Sequence, residues 1–269
     1  MALKDITLGQ FFPGSSPIHR LDPRAKLIAV LCYIISLFLA QWWISYALAF
    51  ALLAAGVAVS SISPRAIVRG LKPVLFLLVF TGLLNVLYYP GQTALASFWI
   101  FTITLEGIFH AIFMVIRIML LVCSTFLLTY TTSPLALTDG LESLLGPLKK
   151  LRVPVHELAM MMSIALRFIP TLIEETDKIM SAQKARGADF DTGGLMKKAR
   201  ALVPLLVPLF VSSFRRADEL ATAMECRCYH GGSGRTRMKQ LEYRGSDWLF
   251  IYGMLLFCVV LGALGHFGL

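Results

Sequence analysis

Residues 27–64, LIAVLCYIISLFLAQWWISYALAFALLAAGVAVSSISP, run for 38 positions without one Asp, Glu, Lys or Arg. A membrane-crossing helix takes about 20 apolar residues, so the stretch reads as two spans back to back. Gln41, Trp42, Trp43 and Ser45 interrupt it near the middle. Tryptophan favours the membrane–water boundary, which puts the turn between the spans there. A second uncharged run, 73–105, opens with a third span over about 73–89. Pro90-Gly91-Gln92-Thr93 then starts a loop, with Phe98, Trp99 and Phe101 suited to an interface. A fourth span covers about 107–129 and carries one embedded charge, Arg117; a fifth covers about 248–267.

Composition agrees. Of 269 residues, 57% are hydrophobic and 15% charged, with a mean hydropathy of +0.72. Soluble domains hold about 25% charged residues, so a soluble fold and a disordered chain are both excluded. Five cysteines, an odd number, do not make a disulfide scaffold. Cys32, Cys123 and Cys258 fall in spans as small apolar residues, and Cys226 and Cys228 fall where thiols stay reduced.

The net charge of +9 is distributed unevenly. Lys4, Arg20, Arg24 and Lys26 precede span one; Arg65, Arg69 and Lys72 lie in the loop joining spans two and three. The two loops on the other side hold no Lys or Arg, whereas residues 133–246 hold 17 of the 25. Basic residues are retained in the cytoplasm, so the N-terminus is expected inside and the C-terminus outside. Residues 1–26 are too polar for a signal peptide and read as a cytoplasmic segment.

The predicted fold is an all-α membrane protein of about five transmembrane helices, with a cytoplasmic block between the fourth and fifth. Residues 27–132 hold spans one to four, 133–246 the block, and 247–269 the last span. Three helices are expected in the block. Ser133-Pro134 has the form of an N-cap followed by proline at the first helical position, opening a helix to about 145. A second runs from 155 to about 186, with Leu158, Met162, Leu166, Ile169 and Ile173 on one face and a kink at Pro170. A third runs from about 201 to 227, with Val207, Val211, Phe214, Ala217, Ala221 and Met224 on one face. Arg215, Arg216, Asp218 and Glu219 occupy its opposite, solvated side. Neither long helix reads as a further span: two crossings would leave six basic residues outside, and one crossing would break the parity. Both are instead amphipathic helices in want of a partner.

The two long helices end alike. Ala182-Gln183-Lys184-Ala185-Arg186-Gly187 repeats at an offset of 41 as Ala223-Met224-Glu225-Cys226-Arg227-Cys228, and Asp177 and Asp218 share that offset. A last-turn arginine before a glycine is ordinary helix-end chemistry. Two such ends after two unpartnered helices suggest paired docking points.

Catalytic and cofactor fingerprints are missing: no Walker loop, no G-x-G-x-x-G, no H-E-x-x-H and no G-x-S-x-G occurs. No enzyme activity, cofactor or metal is therefore expected. Cys226, Cys228 and His230 alternate, but a structural zinc takes four ligands. His110 in span four reads as an interfacial histidine. Arg117 is costly in a membrane and so a functional candidate; pairing with Glu106 or snorkelling from a less central position are equal alternatives. The block carries 12 acidic residues beside its 17 basic ones, a balance ordinary for a cytoplasmic face next to anionic lipid, so the lipid bilayer and not nucleic acid is the expected partner.

Several strings together resemble one family, the transmembrane T component of energy-coupling factor (ECF) vitamin transporters. They are Leu21-Asp22-Pro23-Arg24-Ala25-Lys26-Leu27, Ile164-Ala165-Leu166-Arg167-Phe168-Ile169-Pro170-Thr171, Ala185-Arg186-Gly187-Ala188-Asp189-Phe190, and residues 202–210, LVPLLVPLF. The resemblance implies a multi-pass protein of the bacterial cell membrane and a non-catalytic subunit of an ATP-driven importer. It also implies that the block forms coupling helices whose Ala-Arg-Gly ends dock on two ABC-type ATPase subunits. Ala185, Arg186 and Gly187 match the first motif; Arg227 matches the second, where Cys228 replaces the glycine and puts the turn in question. Asp22, Pro23, Arg24, Arg167 and Pro170 match the family's other motifs. Met160, Met161 and Met162 offer either an adaptable surface for the substrate-binding S component or part of a core. A stand-alone secondary transporter or channel is the alternative, but it calls for more intramembrane charge than Arg117, Glu106 and Asn85 supply.

Overall fold

The computed structural model describes residues 11–89, 93–98, 101–188, 190, 194–231 and 240–267. The helices, in chain order, are α1 (Pro17–Arg20), α2 (Pro23–Leu39), α3 (Trp43–Ser60), α4 (Pro64–Tyr88), α5 (Leu105–Thr131), α6 (Pro134–Leu144), α7 (Val155–Ala185), α8 (Leu195–Cys226) and α9 (Gly245–Phe267). A 3-10 turn, Gly146–Leu151, precedes α7. The expected loop after α4 contains an antiparallel hairpin, β1 (Ala94–Phe98) with β2 (Phe101–Thr104), so the chain is helical apart from this one ribbon among the described residues. Phe98 and Phe101 are backbone partners at its tip, and Trp99 lies outside the described residues.

Among the described residues, five helices are long and apolar enough to cross a membrane: α3, α4, α5, α7 and α9. The number equals the expected one, but the membership differs. α2 has 17 residues, so at 1.5 Å per residue it is short by about a turn's fraction. α7 qualifies because its charges crowd into its second half, leaving an apolar window before Glu174. Arg65, Arg69 and Lys72 stand inside α4 and not in a loop, since Pro64 starts the helix at its first position.

The chain divides into two compact units. One comprises the described residues of 9–141 and 241–269. Its core lies where small residues let backbones approach: Ala29, Cys32, Tyr33, Leu37 and Ala49 are buried with Leu120, Met254 and Leu261. Lipid is as apolar as leucine, so close packing and hydrogen bonds, more than the hydrophobic effect, hold these helices together. Tyr33 donates to the Ala49 carbonyl at 3.0 Å, joining α2 to α3, and stacks on Phe257 of α9. A second cluster, Ile62, Ile67, Cys123 and Tyr130, packs α4 against α5. Lys26 is buried and donates to the Thr131 carbonyl at 3.0 Å and to Thr132 Oγ1 at 3.2 Å. Its charge meets the carbonyl end of α5, where a cation is favoured.

The other unit comprises the described residues of 142–240 and centres on α7 and α8. Glu175 of α7 accepts from Arg216 at 2.9 Å and from the Ser212 hydroxyl of α8. Arg216 also lies 5.8 Å from the Phe168 ring, and Gln183 donates to the Pro204 carbonyl at 3.3 Å. Arg216 therefore does not share a solvated face with Arg215, as its spacing suggested; a carboxylate on the neighbouring helix holds it. The helix continues through Pro170, which is exposed.

Candidate docking site

The ends of α7 and α8 are the same structure built twice. Arg186 caps α7 with φ −84° and ψ 5°; Arg227 caps α8 with φ −90° and ψ 13°. The next residue is left-handed in both, Gly187 at φ 87° and Cys228 at φ 60°. Beyond it, the Ala188 N–H reaches back to the Gln183 carbonyl at 3.0 Å, and the Tyr229 N–H to the Met224 carbonyl at 3.1 Å. That six-to-one bond marks a Schellman ending, which normally places glycine at the left-handed position. Cysteine in place of glycine leaves the turn intact, and the doubt raised by the sequence is removed. The left-handed conformation costs a residue with a Cβ about 1 kcal/mol. A Cys228→Gly variant should accordingly slow amide exchange in the last turn of α8 about fivefold, with α7 unchanged. Unaltered exchange there would mean that Cys228 is not strained.

The two ends point apart. Phe168 lies beside Arg216 and Gln183 beside Pro204, so position rises along α7 as it falls along α8. The helices are antiparallel. Arg186 stands near the Pro204 level, while Arg227 is 23 residues further along α8, about 35 Å at 1.5 Å per residue. Ala185, Arg186, Gly187 and Arg227 are exposed, and neither arginine makes an ion pair among the described residues. Each presents a planar guanidinium fork suited to a carboxylate. Asp189 of the first motif lies outside the described residues.

Between the ends, the apolar faces of both helices are unpartnered. Val207, Val211 and Phe214 of α8 are exposed, as are Met161 and Met162 of α7, whereas Met160 is half-buried. Arg167 is also exposed. Among the described residues of the two helices, the buried ones are Val155 and Ala159 on α7 and Leu205 on α8.

In the other unit, Asp22, Pro23 and Arg24 form a clamp. Asp22 caps α2 by accepting the Arg24 N–H at 2.8 Å, and Pro23 takes the first helical position. The Arg24 side chain grips Asp22 through Nε at 3.1 Å and Nη2 at 3.0 Å, and reaches the Leu241 carbonyl at 2.7 Å. Its guanidinium lies 4.0 Å from the centre of the Tyr243 ring. Asp247 completes the clamp: it accepts the Asp22 N–H at 2.9 Å and the Arg244 N–H at 2.7 Å. Sequence reasoning passed over Asp247. Its signal was a single carboxylate placed one residue before an apolar run of 20, a position that suits the first turn of a helix.

Arg117 does not pair with Glu106. It donates to the Tyr46 hydroxyl at 3.0 Å and the Ala40 carbonyl at 3.1 Å, securing the turn between α2 and α3. Glu106 accepts instead from Thr93 Oγ1 at 2.8 Å. His110 stacks on Tyr89. Among the described residues, no group of three His, Cys, Asp or Glu side chains is arranged to hold a metal, and His230 Nδ1 meets the Cys228 carbonyl.

Residues 14–238 match the CbiQ family, described as cobalt transport protein. The chain is similar to the energy-coupling factor transporter transmembrane protein EcfT of Ruminiclostridium cellulolyticum, at 53% identity over 247 residues, 92% of each chain. The protein of the same description from Acidaminococcus fermentans is 52% identical over 262 residues, 97% of each chain. That from Lactococcus lactis is 46% identical over 259 residues, 96% of this chain and 97% of the relative.

Proposed function

This chain belongs to the CbiQ family of cobalt transport proteins, and we infer from that membership that it is the transmembrane component of an energy-coupling factor transporter. It is a multi-pass, non-catalytic subunit of the bacterial membrane. Its partners are two ABC-type ATPase subunits and a substrate-binding S component, and its task is to convert ATP-driven movement of the first into uptake through the second.

The observation that supports this reading is the duplicated arginine end on an antiparallel helix pair. An ATPase dimer has two equivalent faces, and a single chain lacks that symmetry. Two copies of one helix ending, facing apart, give the chain two equivalent grips. Arg186 and Arg227 each insert a guanidinium fork against carboxylates of one ATPase. When the ATPases close on ATP, the two ends are drawn with them, and the stiff helices α7 and α8 carry the displacement to their exposed apolar faces. Met161 and Met162 there suit contact with more than one S component, since the thioether side chain repacks readily.

In this reading α2, α3, α4, α5 and α9 cross the membrane, the N-terminus is cytoplasmic, and α7 and α8 do not cross. Charge supports it over the assignment by length alone. Crossing by α7 and α8 would leave Lys178, Lys184, Arg186, Lys197, Lys198 and Arg200 on the outer side. The substrate is a vitamin or other micronutrient, selected by the S component.

Co-expression with candidate ATPases and S components, followed by purification in gentle detergent, tests the role. Both ATPases are expected to travel with this chain in equal amounts. Their absence from every gentle preparation would remove the coupling function.

A further inference from the structure

Helix α4 has two unlike sides. One packs on α5: Ile67 and Leu78 are buried there, and a Cβ added at Gly70 would come within 2.8 Å of the Phe126 ring. At about 100° per residue, Arg65, Arg69, Lys72, Phe76, Val79 and Phe80 all fall on the opposite side, within an arc of about 100°. All six are exposed, Phe76 to 80%, and the rings of Phe76 and Phe80 stack at 6.2 Å. The stripe is cationic for about 10 Å and then abruptly apolar.

The three cations are not matched by acidic residues in their own stretch of the chain. Residues 23–105 contain no Asp or Glu, and none of the three makes an ion pair among the described residues. The ligand that would complete this face needs a negative group at the height of Arg65 to Lys72, continuous with a hydrocarbon chain beside Phe76 and Phe80. An anionic phospholipid has that layout, with phosphate and acyl chain in the same order and spacing. A soluble anion supplies no hydrocarbon, and an acidic protein surface would leave the stacked rings uncovered.

We propose that the stripe of α4 from Arg65 to Phe80 forms a binding site for an anionic phospholipid of the phosphatidylglycerol class. Its phosphate is held by Arg65, Arg69 and Lys72, and an acyl chain lies along Phe76 and Phe80. The site rests on α4 as a membrane span and does not depend on the ATPase contacts. Occupancy fixes the depth of α4 at the cytoplasmic leaflet, and through Gly70 and Phe126 the depth of α5.

The test is native mass spectrometry of the detergent-purified full chain, titrated with dioleoylphosphatidylglycerol and separately with dioleoylphosphatidylcholine. The Arg65→Gln/Arg69→Gln/Lys72→Gln variant should bind the anionic lipid at least about tenfold more weakly, with phosphatidylcholine unaffected. Lys149→Gln/Lys150→Gln/Arg152→Gln, which removes the same charge from exposed residues elsewhere, should change little. An Arg65→Lys/Arg69→Lys variant keeps the charge and should retain binding. Equal weakening in both neutralised triples would overturn the site, as would loss of binding in the charge-preserving variant. Unchanged lipid binding, with loss of a co-purifying protein from the α4 variant, would overturn it in favour of a protein interface.

Discussion

The Arg186→Ala/Arg227→Ala double variant should insert normally, purify as a folded chain and arrive without its ATPases. Neither arginine's side chain is tied to another described residue, so truncating it leaves no internal group unpaired, and the effect is confined to association. An arginine anchor in a charge-paired interface is worth about 2–4 kcal/mol, so each single variant should weaken ATPase retention at least about thirtyfold. The double loss should abolish it, because the two grips act as linked sites and each holds the other's partner at high effective concentration. Arg186→Lys keeps the charge without the planar fork and should recover only part of the loss. Pull-down yield and substrate uptake in membrane vesicles read both effects. Wild-type uptake by the double variant would end the assignment of these two residues.

The largest effect on stability is expected at Asp247. Asp247 is 1% exposed, and its carboxylate accepts backbone N–H groups from Asp22 and Arg244, one on each oxygen. Charged hydrogen bonds contribute roughly 1.5–3 kcal/mol each, and an orphaned buried donor adds to the loss, so Asp247→Ala should destabilise by about 3 kcal/mol or more. Asp247→Asn keeps one acceptor oxygen and should fall between. The thermal midpoint of the purified chain in detergent measures both. A midpoint for Asp247→Ala within about 1 °C of the wild type would show that the clamp is held by Arg24 alone.

The helices of the uncharged run were legible because charge is so costly in hydrocarbon: residues 27–64 hold most of α2 and all of α3, of which α3 is long and apolar enough to cross a membrane. The helix ends in the block were legible for another reason: arginine, then a turn residue, at an offset of 41 is a local signal. What the sequence concealed depends on neighbours. Arg216 and Arg215 are adjacent in sequence, yet only Arg216 meets Glu175, a choice made by how α7 and α8 lie together. Arg117 finds Tyr46 and Ala40, 71 and 77 positions away, and not Glu106, which is closer in sequence and three turns along the same helix. The membership of the spans was harder still. α7 and α2 straddle the length and hydropathy at which a helix suits a membrane, so composition alone orders them differently from charge. Cys228 shows the converse. A residue that departs from the expected glycine adopts the same backbone, because the Tyr229 and Arg227 bonds to the preceding turn hold it there.

The five thiols are also unevenly accessible. Cys32 and Cys123 are buried, Cys258 is half-buried, and Cys226 and Cys228 are exposed on either side of Arg227. The wild-type chain thus carries a built-in attachment point for fluorophores or spin labels at one of its two arginine ends. No cysteine stands near Arg186, so a probe would report on the Arg227 end alone without any engineered cysteine.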